Sequence, residues 1–410
     1  MLTIEQQRAI ELIANGKNVF IYGSAGTGKS FLINKIKSIF NPVITASTGI
    51  AAILIGGSTL HSFAGIGINF TMNDMHRIPR RAIARWSKVK MIVIDEVSML
   101  SARYLEVLNE VVQRIRKNPF PFGGIQVILS GDFLQLPPVY RDFLFESEIW
   151  DEFKFEYVEL TKTFRQNNIE FISILNKIRI GNVDESVLSL SKYVREPDIF
   201  DGIIPTILYP HRASVQQLNN AELMALEANE GYKIYEYKAS HKTYRNNLVV
   251  MDPDDKYIYA NLQCEQVLKL AIGAQVMCTK NKPDFDIVNG SRGTVTYVSD
   301  DIIRVKFLHL NNPIDIDIDT FEVKYDDCMV IVTQYPLILA WALTIHKCQG
   351  STLDCVQVDL SEAFDFGMIY VALSRVKSPD GLYLIDINYT KIKAYKKAIE
   401  FYKKIGSIIG

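Results

Sequence analysis

Little in this chain points outside a reducing cell interior. Its five cysteines (Cys264, Cys278, Cys328, Cys348, Cys355) are scattered, form no CxxC pair and join no histidine group with zinc spacing. An odd, dispersed set builds no disulfide framework. No apolar run reaches the ~18–20 residues of a membrane span, and the N-terminus lacks a secretory pattern. The basic stretch from Arg77 to Lys90 lies too far inside to be a transit peptide. These absences lead to the expectation of an intracellular, cytoplasmic protein (in a bacterium, or in the host cytoplasm of a phage or large DNA virus) with no targeting signal and no membrane partner. Charge of one sign is missing too. With 45 Lys and Arg against 46 Asp and Glu, the net charge is −1. That argues against a static basic coat for nucleic acid, though not against a motor that releases its track in every cycle. Low-complexity tracts, long linkers and short repeats are also lacking. What is abundant is apolar side chain, 48% of the chain, enough for the cores of about three domains on the length prior.

Against that background, residues 23–30 read Gly23-Ser24-Ala25-Gly26-Thr27-Gly28-Lys29-Ser30, the G-x-x-x-x-G-K-[ST] phosphate loop. The apolar run Asn18-Val19-Phe20-Ile21-Tyr22 feeds into it as a buried strand. Behind it, residues 30–36 carry apolar positions at helical spacing. Strand, Gly-rich turn and helix form the context this motif requires. Successive backbone N–H groups and the helix dipole then face phosphate. Lys29 would reach the β/γ-phosphates of ATP and Ser30 would hold Mg²⁺.

Hydrolysis needs more. Residues 90–96 form an apolar strand ending in Asp95 and Glu96, roughly 65 residues beyond the loop. Asp95 suits a Mg²⁺ ligand acting through water, and Glu96 a base for the attacking water. The next strand, residues 126–130, runs into Gly131-Asp132-Phe133-Leu134-Gln135-Leu136-Pro137-Pro138. Gln135 falls at the crevice end of that strand, where ligands bind in open α/β sheets, and is a γ-phosphate sensor candidate. Arginine fingers reaching in from a second lobe could complete the site. Position alone singles out none, and it is the family resemblance carried by the following blocks that points to Arg165 and Arg375.

Several blocks together resemble the Pif helicase family, the RecD-like, 5′-to-3′ branch of superfamily 1. They are residues 2–6, the phosphate loop, Ala46-Ser47-Thr48-Gly49-Ile50-Ala51-Ala52, Ser58-Thr59-Leu60-His61-Ser62-Phe63, residues 94–99 and residues 131–139. The Pif-type signature stands as Leu160-Thr161-Lys162-Thr163-Phe164-Arg165-Gln166, continuing to Gly181. The late blocks are residues 343–352 and Tyr370-Val371-Ala372-Leu373-Ser374-Arg375. The resemblance implies roles residue by residue. Gln6 matches an adenine-contacting glutamine. The loop from Gly23 to Ser30, with Ser24, Ala25, Gly26, Thr27 and Gly28 between, matches the phosphate cradle. Gln135, Arg165, Gly350 and Arg375 match the γ-phosphate-facing set. Thr48, His61, Thr344, His346 and Lys347 fall in motifs lining the single-strand track, and Asn289, in an Asn-Gly hairpin signal, joins the DNA-binding candidates. Phe63 and Phe133 are candidates for base stacking. Cys348 stands where the family usually has Ser, and no catalytic position is broken.

The fold expected is α/β, with two RecA-like P-loop lobes and a small inserted, Src-homology-3-like β-barrel. Residues 1–150 would form lobe 1A, with a small 1B element about 64–88. Residues 151–261 and 333–410 would form lobe 2A, and residues 262–332 the inserted 2B barrel. The alternating Ile and Asp of residues 314–319 read as a half-buried strand. In the 1B stretch, Arg77, Arg80, Arg81, Arg85, Trp86 and Lys88 fit either a phosphate-backbone contact or a solvated helix with Trp86 in the core. The activity implied is an ATP- and Mg²⁺-dependent 5′-to-3′ DNA helicase serving replication, recombination or repair. Its partners would be single-stranded DNA and fork or tailed duplex DNA, with G-quadruplex DNA a further family expectation and a monomer the default. An RNA-directed helicase, a protein-stripping translocase and a nucleotide-gated clamp without turnover are the competing readings.

Overall fold

A computed structural model describes residues 2–67, 70–138, 140–197, 204–245, 248–250, 259, 262, 264–287, 289–325, 328–345, 348, 352–353, 355–361 and 363–407. The chain divides into two compact units. The first comprises Met1–Asp184, Asp365–Ser374 and Ile392–Gly410, and the second Glu185–Phe364 and Arg375–Lys391.

In the first unit, six strands form one sheet: β1 (Val19–Tyr22), β2 (Val43–Ala46), β3 (Ser58–Thr59), β4 (Met91–Asp95), β5 (Gln126–Gly131) and β6 (Glu156–Glu159). Their order is β3-β2-β4-β5-β1-β6, and every pairing is parallel. A parallel sheet is covered on both faces, so its strands read as continuous apolar runs. All four residues of β1 are buried accordingly. The order matters for function. Because β4, β5 and β1 are neighbours, the turns at their C-terminal ends lie side by side. Those turns are residues 95–97, 131–135 and 23–28.

Local signals set the flanking helices. Ile4–Ala14 begins with a reciprocal capping box between Thr3 and Gln6. Lys29–Phe40 starts after Gly28 and ends at Asn41, both left-handed, a conformation that Gly and Asn tolerate better than other residues. Ala102–Arg116 is capped by Ser101 Oγ, which accepts from Tyr104 N–H. The core on one face of the sheet is aromatic. Phe20, Phe133, Trp150 and Phe401 interlock with centroids 5.2 to 6.4 Å apart.

Those contacts move the expected boundaries. Strand β6 pairs with β1, so the stretch from 151 to 184 belongs to the first unit and not to a second lobe. Helix Lys396–Lys404 buries Ala398, Phe401 and Tyr402 in the same core, and the segment 365–374 joins them. The 1B stretch holds a 3₁₀ turn, Met72–Arg77, and the helix Arg80–Trp86. Trp86 is fully buried, edge-on to Phe63 at 5.0 Å. Arg77, Arg80, Arg81 and Lys88 are exposed.

The second unit has its own parallel sheet. Its strands are β7 (Thr206–Tyr209), β19 (Ala342–Thr344), β20 (Val356–Asp359) and β21 (Leu382–Asp386), in the order β19-β7-β20-β21. The helix Arg212–Glu230 follows β7. Between them lies an antiparallel insert of β8 (Tyr235–Lys238), β9 (Ser240–Arg245), β10 (Leu248–Val250), β11 (Val267–Leu270), β12 (Gln275–Cys278), β13 (Arg292–Val298), β14 (Ile303–Phe307), β15 (Ile314–Asp315), β16 (Asp319–Tyr325), β17 (Cys328–Gln334) and β18 (Leu337–Leu339). Five of these pair as β15-β14-β13-β12-β18 and four as β10-β9-β17-β16. The insert therefore starts near residue 235, not 262, because β9 pairs with β17 across almost ninety residues. The Ile-Asp alternation is not one strand. It breaks between β15 and β16, leaving Ile318 55% exposed and Asp319 paired with Lys280 at 2.9 Å. Among the described residues, no helix is long and apolar enough to cross a membrane.

Candidate nucleotide site

The phosphate loop needs glycine for close approach as well as for backbone freedom. A Cβ on Gly23 would lie 2.4 Å from the Leu160 carbonyl oxygen, and one on Gly26 2.6 Å from Arg165 Cβ. The loop is thus roofed by residues 160–166, tied down by Leu160 N–H donating to Tyr22 O (2.7 Å) and Phe164 N–H to Gly26 O (2.8 Å). This corrects one expectation. Arg165 reaches the loop from the first unit, not from a second lobe, because β6 delivers its segment beside β1. Its Nη1 donates to the Ser374 carbonyl at 3.0 Å, as does Gln166 Nε2 at 3.1 Å.

Lys29 Nζ donates to the carbonyls of Gly23 (2.7 Å) and Ser24 (2.8 Å). Burial pulls this ammonium below its ordinary pKa, against the opposing pull of Asp132, Glu96 and Asp95. Ser30 is exposed at the start of its helix. Gln6 is buried, its Oε1 accepting from Thr3 N–H, and its Nε2 would lie 3.1 Å from a Cβ on Gly28. The expected adenine contact therefore stands beside the loop.

At the end of β4, burial and the neighbouring Glu96 push the Asp95 carboxyl up to about 7. Glu96 has φ +53°, a left-handed backbone that costs a non-glycine residue about 1 kcal/mol or more. Ser47 holds this corner, donating from Oγ to Glu96 O (2.7 Å) and from N–H to Asp95 O (3.1 Å). After β5, Asp132 is fully buried against Arg179, which donates to both carboxylate oxygens at 2.8 and 2.9 Å. Burial alone would raise the Asp132 pKa, but the guanidinium holds it below the ordinary carboxylate value. Tyr402 Oη accepts from Phe133 N–H (2.9 Å) and lies 3.3 Å from Asp132 Oδ1. The same aspartate accepts Leu134 N–H on its side chain and Gln135 N–H on its carbonyl. The turn carrying Gln135 is thereby pinned by a buried ion pair.

Lys29, Asp95, Glu96 and Arg165, with the Gln135 turn beside them, belong to one unit. Arg375 belongs to the second, 2% exposed, its carbonyl accepting from Leu353 N–H (2.9 Å). Gly350, His346 and Lys347 lie outside the described residues. Thr344 is buried at the end of β19. Asn289 donates its N–H to Asn281 Oδ1 (2.7 Å). Thr48 Oγ1 accepts from Ala51 N–H, capping a helical turn.

Both stacking candidates need correction. Phe133 is 0% exposed at the centre of the aromatic core, and Phe63 is 9% exposed, between Trp86 and the Arg85 guanidinium. A base needs an open ring face, and neither offers one. His61 packs on Tyr104 at 4.5 Å, and burial lowers its pKa to about 4, so it is a neutral ring near pH 7. Sequence reasoning missed Asp132, Arg179, Tyr402 and Tyr370. Asp132 and Tyr370 stood inside quoted motifs without a role, and Tyr402 carried no signal beyond its place on an amphipathic helix.

A parallel P-loop sheet with a carboxylate pair beside the loop defines a RecA-like nucleoside triphosphatase. The family model described as PIF1-like helicase matches residues 1–188, and that for the DNA helicase Pif1 2B domain matches residues 256–298. The chain is 36% identical to the ATP-dependent DNA helicase Pif1 of Bdellovibrio bacteriovorus, covering 98% of this chain and 92% of that protein. It is 37% identical to the zebrafish (Danio rerio) ATP-dependent DNA helicase PIF1, spanning 98% of this chain but only 64% of that protein. Among solved structures, Pif1 helicase from Candida albicans matches with a TM-score of 0.82 at 35% identity, covering 99% of this chain and all of that one. Bacteroides Pif1 in complex with ADP-AlF3 and single-stranded DNA matches at 0.70 and 30% identity, covering 99% and 98%. The chain belongs to the PIF1-like helicase family.

Proposed function

We propose that this chain is an ATP-dependent DNA helicase that moves 5′-to-3′ on single-stranded DNA and opens fork or tailed duplexes. The observation that carries the reading is the joining of phosphate loop, Asp95–Glu96 corner, Gln135 turn and Arg165 segment within one unit. A P-loop that only binds nucleotide needs no strained glutamate beside it. The full family likeness, including relatives named as DNA helicases and one solved with single-stranded DNA, supports DNA as the track. The antiparallel insert is read as the family's 2B barrel.

Glu96 would orient and deprotonate the attacking water, while Lys29 and Arg165 meet phosphate charge. The family resemblance gives Arg375 the same phosphate-facing role. Hard oxygen donors fit Mg²⁺. Ser30 offers an exposed hydroxyl, and Asp95 is a buried carboxyl whose ionisation a cation would compensate. Mg²⁺ held there would offset charge on the transferring phosphoryl group. Loss of the γ-phosphate would then shift a two-state arrangement and advance the grip on the strand. Binding through phosphates makes affinity largely sequence-independent and salt-sensitive.

The test is steady-state ATP hydrolysis with and without single-stranded DNA, for the native chain and Glu96→Gln, followed by unwinding of 5′- and 3′-tailed duplexes. DNA-stimulated hydrolysis lost in the variant, with unwinding of the 5′-tailed substrate, is expected. Stimulation by RNA alone, or unwinding of only the 3′-tailed substrate, overturns the substrate or the polarity.

A further inference from the structure

The helix Met368–Leu373 contributes an unexpected group to the phosphate loop. Tyr370 is 1% exposed, and its hydroxyl oxygen accepts a hydrogen bond from Ala25 N–H at 2.7 Å. Ala25 sits inside the loop and is itself buried. The N–H groups of such loops are the ones that cradle phosphate. Each has one proton to give. While the phenol oxygen holds it, no phosphate oxygen can.

The other end of the same helix is fastened as well. Ser374, its C-terminal cap, receives Arg165 and Gln166 on its carbonyl. Gly367 precedes the helix at φ +76°, so close to the γ-phosphate-sensor turn that a Cβ would lie 2.6 Å from Gln135 O. Residues 367–374 thus touch the loop, the Gln135 turn and the Arg165 segment within one unit, and Arg375 follows directly in sequence.

We propose that Tyr370 is a positioning residue that occupies the Ala25 amide until a phosphate oxygen takes it. Nucleotide binding displaces the phenol and loosens the helix leading to Arg375. Phosphate occupancy is thereby reported to residues 367–374 without any residue of that helix being a nucleotide ligand. The inference rests on the nucleotide-site reading above and assigns the coupling element within it.

Tyr370→Phe tests it, because the ring is kept and only the hydroxyl is lost. The amide then has no partner in the nucleotide-free protein, so phosphate gains it without competition. A hydrogen bond of ordinary strength corresponds to about fivefold tighter binding of fluorescently labelled ADP. The KM for ATP should fall with it, while DNA-stimulated kcat does not rise. Simple damage to the site weakens binding, so the direction separates the two. ADP binding equal to or weaker than that of the native chain overturns the proposal and leaves the nucleotide-site reading standing. A native chain that binds no ADP overturns that reading instead. If the variant does not fold, hydrogen exchange on the native chain decides. Faster amide exchange in residues 367–374 at saturating ADP is expected, and equal or slower exchange refutes the displacement.

Discussion

Replacing Asp132 by Asn keeps the side-chain shape and removes one buried negative charge. Its partner Arg179 has a side chain only 7% exposed and donates two hydrogen bonds, at 2.8 and 2.9 Å. In Asp132→Asn that guanidinium becomes an uncompensated buried cation. Breaking such a pair from one side costs about 3–5 kcal/mol. For a unit of roughly 200 residues, at about 2–4 °C per kcal/mol, the unfolding midpoint should fall by about 6–20 °C. Calorimetry or a thermal melt followed by tryptophan fluorescence reads it directly, since Trp150 lies in the adjoining aromatic core. Adding Arg179→Met removes the orphaned charge, and the double variant should recover at least half of the loss. Acid provides a further check. The Asp132 carboxyl is held below its ordinary value of 3.8, so the pair's stabilisation is fully present above that pH and is lost only as pH falls through the lower folded value. The gap between native and variant midpoints should therefore be constant from pH 5 to 8. A single-variant loss under about 1 kcal/mol, or a double variant no better than the single, would refute a charge-based role for the pair.

Other outcomes follow from the same geometry. Gly367→Ala places a Cβ 2.6 Å from Gln135 O and 2.8 Å from Leu134 O at a residue with φ +76°. Backbone atoms cannot yield cheaply, so a stability loss of about 1–3 kcal/mol and reduced hydrolysis are expected from melts and turnover assays. Glu96→Gly relieves the left-handed backbone at φ +53°. It should end hydrolysis while raising stability by about 1 kcal/mol, and a lower melting temperature would contradict the strain. His61 has its pKa lowered by burial from 6.5 to about 4. The folded state favours the neutral ring, so its contribution is complete above pH 6.5 and is lost as pH drops toward 4. His61→Gln should remove about 1–2 kcal/mol of the native chain's stability difference between pH 7 and 5.

Much of the site was legible because it is local. A Gly-rich turn between a buried strand and a helix, and a carboxylate pair ending an apolar strand, are contiguous signals. The strands at 19–22, 43–46, 91–95 and 126–131 fall where apolar runs place them. Lys29, Asp95 and Glu96 follow from those runs, whereas Gln6 came only from the family resemblance. The stacking candidates failed for the opposite reason. Whether Phe63 or Phe133 faces solvent depends on what other segments lay against it, which no neighbouring residue announces.

The sequence by itself thus determined the phosphate-loop signature, the carboxylate pair that ends an apolar strand, and membership of a helicase family. Tertiary structure alone decided which distant segments hold that chemistry in place. Arg179 meets Asp132 from 47 residues away, Tyr402 from 270, and Tyr370 meets Ala25 from 345. Helix and strand propensities act over a few residues, whereas these partners are chosen by strand order. Setting β6 beside β1 carries Arg165 onto the loop, and packing Phe401 into the aromatic core brings Tyr402 to Asp132.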